Sequence, residues 1–438
     1  MNNLNNQVLT VKIQQITYEG LGQATLENGH KIFVYNAFTN EVVKAKIIKS
    51  NSKFSFALVE EFIEQNESIR NEKSYNCVSS NPLINLKYEY QIELKQHYLQ
   101  TLFLRNLNID PNVLKFFYGA KNIYNYRNKA TYPLFVDQNK LRYGEYRAKS
   151  NILINTDNLV LNQKSINQVL LKIVNLINLE FDHSDLDNFK EIILKTNNNN
   201  ETIVCLKVTG KIVFQNHFLL KIKDIRNLIQ IKIVNLDTSK EVLNWTKKPF
   251  VISLLDKKFL VLDKSFFQIN NEIASIMFSK IKERILSLNP KVIIDLFCGV
   301  GTIGQLVSEE SISIFGVDIE EQSIFLAKKN ALKNNFSKAF YEAEDVFKSK
   351  ELEKHLNSND SFVILDPPRS GLNDALIDLI AKKGVKNIAY MSCDPRTLVR
   401  DLKRFTEVYN YKIDFVQGFD MFPNTYHIET VVFMYRND

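Results

Sequence analysis

The stretch Lys291–Gly304, KVIIDLFCGVGTIG, decides the fold. An apolar run reads as a buried strand that ends on Asp295 and Leu296. Phe297 and Cys298 follow, and then Gly299 and Gly301, which permit a tight turn and let a ligand approach the backbone. Thr302 then opens a helix. A short Gly-x-Gly says little alone, but its context says more. The next apolar run, SIFGVDIE, closes on Asp318, where a carboxylate can accept hydrogen bonds from both hydroxyls of a ribose. A dinucleotide-binding dehydrogenase is the competing reading of this loop.

Working outward from it, the apolar runs KVIIDLF, SIFGVD, FVILDPP and NIAYMS alternate with helical segments such as EEQSIFLAKKNALKNN. That alternation predicts a doubly wound α/β sheet. The last two runs, KIDFVQGF and ETVVFMYR, are expected to form a hairpin. Three further motifs fall at ends of these runs. Leu365-Asp-Pro-Pro-Arg369 places a carboxylate at the carboxyl edge of the sheet, and the prolines stop the strand there. Met391-Ser-Cys-Asp-Pro395 places Cys393 between a strand and the helix PRTLVRDLKRF. A thiol just before a helix N-terminus feels the positive end of the dipole, which favours thiolate, and Arg396 is a cation at hand. Phe422–Glu429, FPNTYHIE, supplies an imidazole and a carboxylate before the last strand.

The rest of the chain reads differently. Residues 1–62 hold short β-rich runs (VLTVKIQQI, KIFVYNA, VVKAKIIKS, FALVEEFI) separated by turn signals, which predicts a small OB-like barrel. Residues 87–109 carry apolar positions at helical spacing, and Asp110-Pro111 ends that helix. A strand-rich region with a helix near Ile166–Leu179 runs to about Leu262. The expected division is therefore 1–62, 63–262 and 263–438. Its fold class is α/β: a C-terminal Rossmann-like sheet, an N-terminal OB-like barrel and a mixed α+β central domain.

Composition narrows the function. With 438 residues, 45% hydrophobic and 24% charged, the chain is an ordinary globular protein. No apolar run approaches the roughly 18 residues of a membrane helix. The start MNNLNNQVLT is not a signal peptide, so the cytoplasm is expected. The four cysteines form no CxxC pair, which argues against a metal site built from them. Cys77, Cys205 and Cys298 read as small buried hydrophobes. Between Leu114 and Ser150, eight cations (Lys115, Lys121, Arg127, Lys129, Lys140, Arg142, Arg147, Lys149) face only Asp137 and Glu145, an excess of six. Tyr124, Tyr126, Tyr132, Tyr143 and Tyr146 are interleaved with them. Cations neutralise phosphates and exposed rings stack on unpaired bases, so RNA is one expected partner. Buried tyrosines behind a solvated sheet face are the other reading.

The motifs together resemble the RNA uracil-5 methyltransferase family. The strings SFFQIN (Ser265–Asn270), DLFCGVGTIG, LDPPRSG, MSCDPRTLVRD and DMFPNTYHIE carry the likeness over 265–438. YRNKATYPL (Tyr126–Leu134) and LRYGEYRAKS (Leu141–Ser150) extend it, and residues 8–71 resemble the TRAM RNA-binding domain in GLGQA and KIFVYNAFTNE. The resemblance implies a class I methyltransferase sheet that binds S-adenosyl-L-methionine through Gln268, Phe297, Asp318 and Asp366, with Gln268 and Asp366 also near the uracil. It implies Cys393 as the nucleophile that adds to C6 and Glu429 as the base that removes the C5 proton. It also implies an RNA substrate, with 23S rRNA favoured over tRNA because of the TRAM-like segment, and a monomeric protein with no membrane partner. A cytosine-5 RNA methyltransferase and a non-catalytic RNA-binding protein are the alternatives. Many relatives hold an iron–sulfur cluster on four cysteines. Two of those positions fall on Asn81 and Asn158 here, so no cluster is expected, a cubane needing about four thiolates.

Overall fold

The computed structural model describes residues 4–75, 80–146, 152–156, 159–356 and 360–437. Cys77, Arg147, Lys149 and Asn158, which the sequence singled out, lie outside them. The chain forms two compact units. One comprises residues 1–101, 145–154 and 422–428, and the other 102–144, 155–421 and 429–438.

In the first unit the strands Val8–Lys12, Val42–Ser50, Phe54–Glu64, Lys31–Tyr35, Gly22–Thr25 and Gln15–Ile16 are neighbours in that order. The two edge strands are joined by only Ile13 and Gln14. Ile13 donates to the Glu41 carbonyl at 2.8 Å and Gln14 to the Gln23 carbonyl at 2.8 Å, so the chain itself carries one edge round to the other. The expected small barrel results. Its long strands bend at irregularities between Val42 and Val43, Lys44 and Ala45, and Ile47 and Lys49. Alternate residues Val43, Ala45 and Ile47 point into a core with Val11, Ile13, Ile32, Val34 and Ala57. Beside it, Glu41 is fully buried against Arg70. The Arg70 guanidinium also donates to the Asn36 carbonyl at 2.8 Å and lies 4.5 Å from the ring centres of Phe38 and Phe62.

The helix expected over 87–109 runs Tyr88–Asn106, and Asp110 caps a separate 3₁₀ turn at Pro111–Val113. Gln91 on that helix donates to the carbonyls of Leu83 and Leu86 and to Asn424 Oδ1, and accepts from the Asn424 amide at 2.9 Å. The segment 422–428 thus folds into the first unit.

Among the described residues, the second unit holds two large sheets and a two-stranded one, Val251–Leu254 with Lys257–Leu260. In the central one, Glu241–Thr246, Leu228–Asn235, Thr202–Val208, Phe189–Thr196, Lys129–Asp137 and Lys140–Tyr146 lie side by side, antiparallel except for Thr202–Val208 with Leu228–Asn235. The helices Lys164–Glu180 and Asn216–Lys223 cover it with Ile166, Val169, Leu170, Ile173, Ile177, Phe218 and Ile222. Tyr132 and Tyr143 belong to this core, their rings 5.7 Å apart, and Tyr126 is buried too. For these three tyrosines the stacking reading is wrong: Tyr132 and Tyr143 take inward strand positions, and Tyr126 is buried just ahead of strand Lys129–Asp137. Tyr146 is half-exposed.

The C-terminal sheet runs Ala339–Ala343, Ser313–Asp318, Val292–Leu296, Ser361–Leu365, Asn387–Ser392, Glu429–Tyr435, Lys412–Phe419. All strands are parallel except Glu429–Tyr435, which is antiparallel to both neighbours. The expected hairpin pairs Phe419 with Glu429. Ser361–Leu365 is buried throughout, as a parallel strand covered on both faces must be. The chain winds outward from Val292–Leu296 and then crosses back to Ser361–Leu365. The crevice of this switch point opens at the carboxyl ends of those two strands, beside Phe297–Gly301 and Asp366.

The Glu41–Arg70 pair gives a direct test of the N-terminal unit. Glu41→Ala leaves a buried guanidinium uncompensated, and such losses cost about 3–5 kcal/mol. Urea unfolding followed by far-UV circular dichroism should show the unit melting at markedly lower denaturant, with Lys44→Ala, on an exposed ion pair, nearly unchanged.

Candidate active site

The glycine loop is held as its sequence requires. Gly299 and Gly301 have φ of +54° and +75°. A Cβ on Gly301 would sit 2.7 Å from Gln305 Nε2, whereas one on Gly299 would meet nothing within 4 Å. The first glycine is needed for its backbone and open surroundings, the second for close packing. Phe297 also adopts a left-handed φ of +66°, a strained conformation for an aromatic residue that concentrates at functional sites. Its ring packs edge-to-face on Phe347 at 5.7 Å. Asp318 Oδ2 accepts from the Gly299 amide at 2.9 Å and Oδ1 from the Glu320 amide at 2.9 Å. Each oxygen keeps a lone pair for a ligand. Asp295 accepts from the Gly304 amide at 2.8 Å while its Oδ1 is buried without a partner. Burial, with help from the charges of Asp366 and Asp318, pushes its pKa up to about 7.

Across the crevice, Asp366, Cys393 and Glu429 converge. Asp366 follows strand Ser361–Leu365, Cys393 follows strand Asn387–Ser392, and Glu429 begins the antiparallel strand between them and the sheet's edge. Asp366 is partly open to solvent, yet enough protein surrounds it to raise its pKa to about 7 through lost hydration. Glu429 is 4% exposed. Burial first, and the neighbouring Asp366 charge second, hold its carboxyl well above the usual carboxylate range. The Cys393 thiol is raised to about 11, by burial first and then by the charge of Glu429. Asp366 adds to this, and the charge and hydrogen bond of Arg369 oppose it.

The cation that acts on the Cys393 thiol is therefore Arg369 and not the expected Arg396. Asp394 caps helix Pro395–Lys403 through its carboxylate, accepting from the Arg396 amide at 3.0 Å, and the same carboxylate takes both Nε and Nη2 of Arg396 at 3.0 and 2.8 Å. Asp394 thus both caps the helix and pairs with Arg396. The cation facing the thiol is Arg369. It stands in the LDPPR motif, one residue past the prolines that stop the strand, where the sequence carried no sign that it would meet Cys393. Its loop is fastened from the same helix. Arg400 donates to the carbonyls of Ser370 and Leu372, and Asp401 accepts from the Leu372 amide and the Tyr390 hydroxyl. A Cβ on Gly371, at φ +74°, would lie 2.5 Å from Asp401 Oδ2.

Gln268 is held from another side, in the loop Ser265–Asn270, and is buried. Two residues on, the side-chain amide nitrogen of Asn270 is buried with no partner, a donor available to a ligand. Cys205 and Cys298 are buried with raised pKa values, as small hydrophobes should be. His427 packs its ring on Tyr426 and Phe422 within the first unit. Among the described residues, no group of three or more His, Cys, Asp or Glu is arranged to hold a metal ion, and no helix is long and apolar enough to cross a membrane.

A doubly wound sheet with a glycine loop, an acid closing the second strand and a third acid across the switch point defines a nucleotide-cofactor enzyme. Gly299, Gly301 and Gly304 have the spacing of the dinucleotide fingerprint as well, so the glycines alone do not separate a methyltransferase from a dehydrogenase. The antiparallel strand carrying Glu429 and the Cys393 cluster set it apart. The sequence profile of the family described as tRNA (uracil-5-)-methyltransferase matches residues 87–437, and that of the TRAM domain residues 3–59. Relatives include an uncharacterized RNA methyltransferase of Fusobacterium nucleatum, 28% identical over 97% of this chain and 95% of its own length. Another, from Clostridium tetani, is 29% identical over 95% and 93%. Among solved structures, the Pyrococcus abyssi tRNA (uracil-54, C5)-methyltransferase in complex with S-adenosyl-L-homocysteine superposes with a TM-score of 0.73 at 20% identity. It spans 97% of this chain and all of that one. The chain belongs to the tRNA (uracil-5-)-methyltransferase family, a family of S-adenosylmethionine-dependent RNA methyltransferases, with a TRAM domain at its N-terminus.

The electrostatics of the cluster can be tested without any substrate. At pH 9, Glu429→Gln removes a negative charge beside the thiol, so the Cys393 pKa falls and its alkylation by iodoacetamide speeds up. Arg369→Met removes the opposing cation and slows it. Peptide mass spectrometry of Cys393 against time reads both, and equal rates in all three proteins would mean that the groups do not feel one another.

Proposed function

We propose that the protein methylates C5 of a uridine in structured RNA, with Cys393 as covalent nucleophile and Glu429 as base. The convergence of Cys393, Glu429, Asp366 and Arg369 at the carboxyl edge of the sheet carries this reading. Gln268, Phe297, Asp318 and Asp366 fit the cofactor: a diol acceptor in Asp318, a strained aromatic in Phe297, a partly open carboxyl in Asp366 and a buried amide in Gln268. When bound, S-adenosyl-L-methionine supplies an electrophilic methyl group on a sulfonium.

C5 of uracil is a weak nucleophile. Addition of the Cys393 thiolate to C6 places enolate character on C5, so that one hard step becomes two easier ones. The thiol first loses its proton to solvent water, Cys393 being partly exposed, and the Arg369 charge stabilises the resulting anion. After C5 has gained the methyl group, Glu429 takes its proton, the enolate re-forms and collapses, and the Cys393 sulfur leaves as thiolate. Burial and Asp366 make the Glu429 carboxylate a stronger base than a solvated one. A uridine in a stem must be flipped out first, at a cost of a few kcal/mol. The TRAM domain and the cations of the 114–150 stretch are suited to offset that cost through backbone contacts. Because of the TRAM domain we favour 23S rRNA as the substrate. We also infer a cytoplasmic monomer without an iron–sulfur cluster, Asn81 standing where resembling relatives place a cluster cysteine.

Nucleoside mapping of ribosomal and transfer RNA from a strain lacking the gene tests the substrate. Loss of one or more 5-methyluridines from 23S rRNA is expected. Loss from tRNA, or loss of 5-methylcytidine instead, overturns the assignment. In vitro, Cys393→Ala should abolish methyl transfer and leave S-adenosylhomocysteine binding intact. Glu429→Gln should stall after methylation, seen as a shifted protein–RNA band on a denaturing gel.

A further inference from the structure

The loop that carries Gln268 has no regular structure between Val261 and Asn270, so something else must fix it. Two side chains from the central sheet do so. Lys195, at the end of strand Phe189–Thr196, is 3% exposed and donates through Nζ to the carbonyl of Leu262 at 2.8 Å and to that of Ser265 at 2.5 Å. Asn128, also 3% exposed, donates through Nδ2 to the carbonyl of Gln268 at 2.8 Å and to Asn271 Oδ1 at 3.0 Å. Its amide donates to the Ile269 carbonyl at 3.0 Å, and its own carbonyl accepts from Thr196, the residue after Lys195, at 2.8 Å. Four carbonyls within eight residues of the loop are thereby tied to two adjacent strand ends.

Stability alone does not call for these residue types. A lysine taken out of water is costly, and burial together with Lys129 holds the Lys195 pKa down to about 7, against the pull of Asp263. Side chains that satisfy a loop's carbonyls at such expense are found where geometry matters more than stability. Asn128 also follows directly on Arg127, a cation of the basic stretch, so the segment leading into strand Lys129–Asp137 both grips the loop and carries a candidate phosphate contact.

We propose that Asn128 and Lys195 are positioning residues for the methyl-transfer reaction, fixing the backbone of Leu262–Ile269 so that the Gln268 side chain is presented to cofactor and uracil. This rests on the reading that Gln268 touches both. Neither residue touches the reacting atoms, so each should act only through Gln268.

A double-mutant cycle tests that. Asn128→Asp keeps the shape but removes both N–H donors, and Lys195→Met keeps the length but removes the ammonium. Each is made alone and with Gln268→Ala. S-adenosylhomocysteine binding is read by calorimetry, and turnover by tritium transfer to total RNA from a strain lacking the gene. Alone, each variant should lose roughly tenfold in binding or turnover, the order expected for a buried hydrogen bond left unmade. In the Gln268→Ala background the further loss should be less than about twofold, that is, strongly non-additive. Lys195→Met should unfold at or above the wild-type midpoint, which separates positioning from folding. Full additivity, or wild-type behaviour of Asn128→Asp and Lys195→Met while Gln268→Ala is impaired, overturns the proposal. Wild-type behaviour of Gln268→Ala overturns the reading beneath it, and the proposal with it.

Discussion

Two carboxyl groups and a thiol share one poorly hydrated corner at the carboxyl edge of the C-terminal sheet, and one arginine faces them. Three groups that each ionise to an anion cannot all be charged there, because each loses hydration and repels the others. The raised pKa values of Asp366, Glu429 and Cys393 are the outcome. Such a corner costs stability, and the surrounding structure serves to hold it together. Glu429 is fixed by a strand paired on both sides. Asp366 and Arg369 are fixed by prolines and by the Arg400–Asp401 grip on the following loop. Cys393 sits between a strand and a helix whose own cap is satisfied internally.

This arrangement divides the labour between carboxylates. Asp318, with two backbone amides on it, is suited to bind a diol. Glu429, buried and crowded, is suited to take a proton. Sequence distance says nothing of the difference. Each acid simply ends or begins a strand, and only the environment distinguishes an acceptor from a base.

Much of this was legible in the chain. The glycine loop, Asp318, Asp366 and Cys393 could be placed at carboxyl edges because apolar runs of strand length stop on them, and Glu429 because an apolar run begins at it. The barrel was legible from turn residues between short β-rich runs. What was not legible depended on three-dimensional neighbours. Arg396 was the cation expected beside the thiol, but it pairs with Asp394, and the cation acting on Cys393 is Arg369. The central tyrosines are candidate stacking platforms in the sequence, but Tyr132 and Tyr143 face inward, since alternation along a strand does not say which face another layer will cover, and Tyr126 is buried as well. Lys195 lies in no quoted motif, and Asn128, although it stands in YRNKATYPL, has no role that the string itself suggests. Their role appears only when the loop they hold, more than sixty residues later, is brought beside them.

The central claim is that Cys393 becomes covalently bonded to the uracil it activates. The most direct measurement uses RNA transcribed with 5-fluorouridine, incubated with the protein and S-adenosyl-L-methionine and then digested for peptide mass spectrometry. Fluorine on C5 cannot leave as a cation, so Glu429 has no proton to remove and the adduct persists. The account predicts a Cys393 peptide carrying one methylated, fluorinated dihydrouridine. Methylated RNA with no adduct, or an adduct on Cys298 or Cys205, would contradict it.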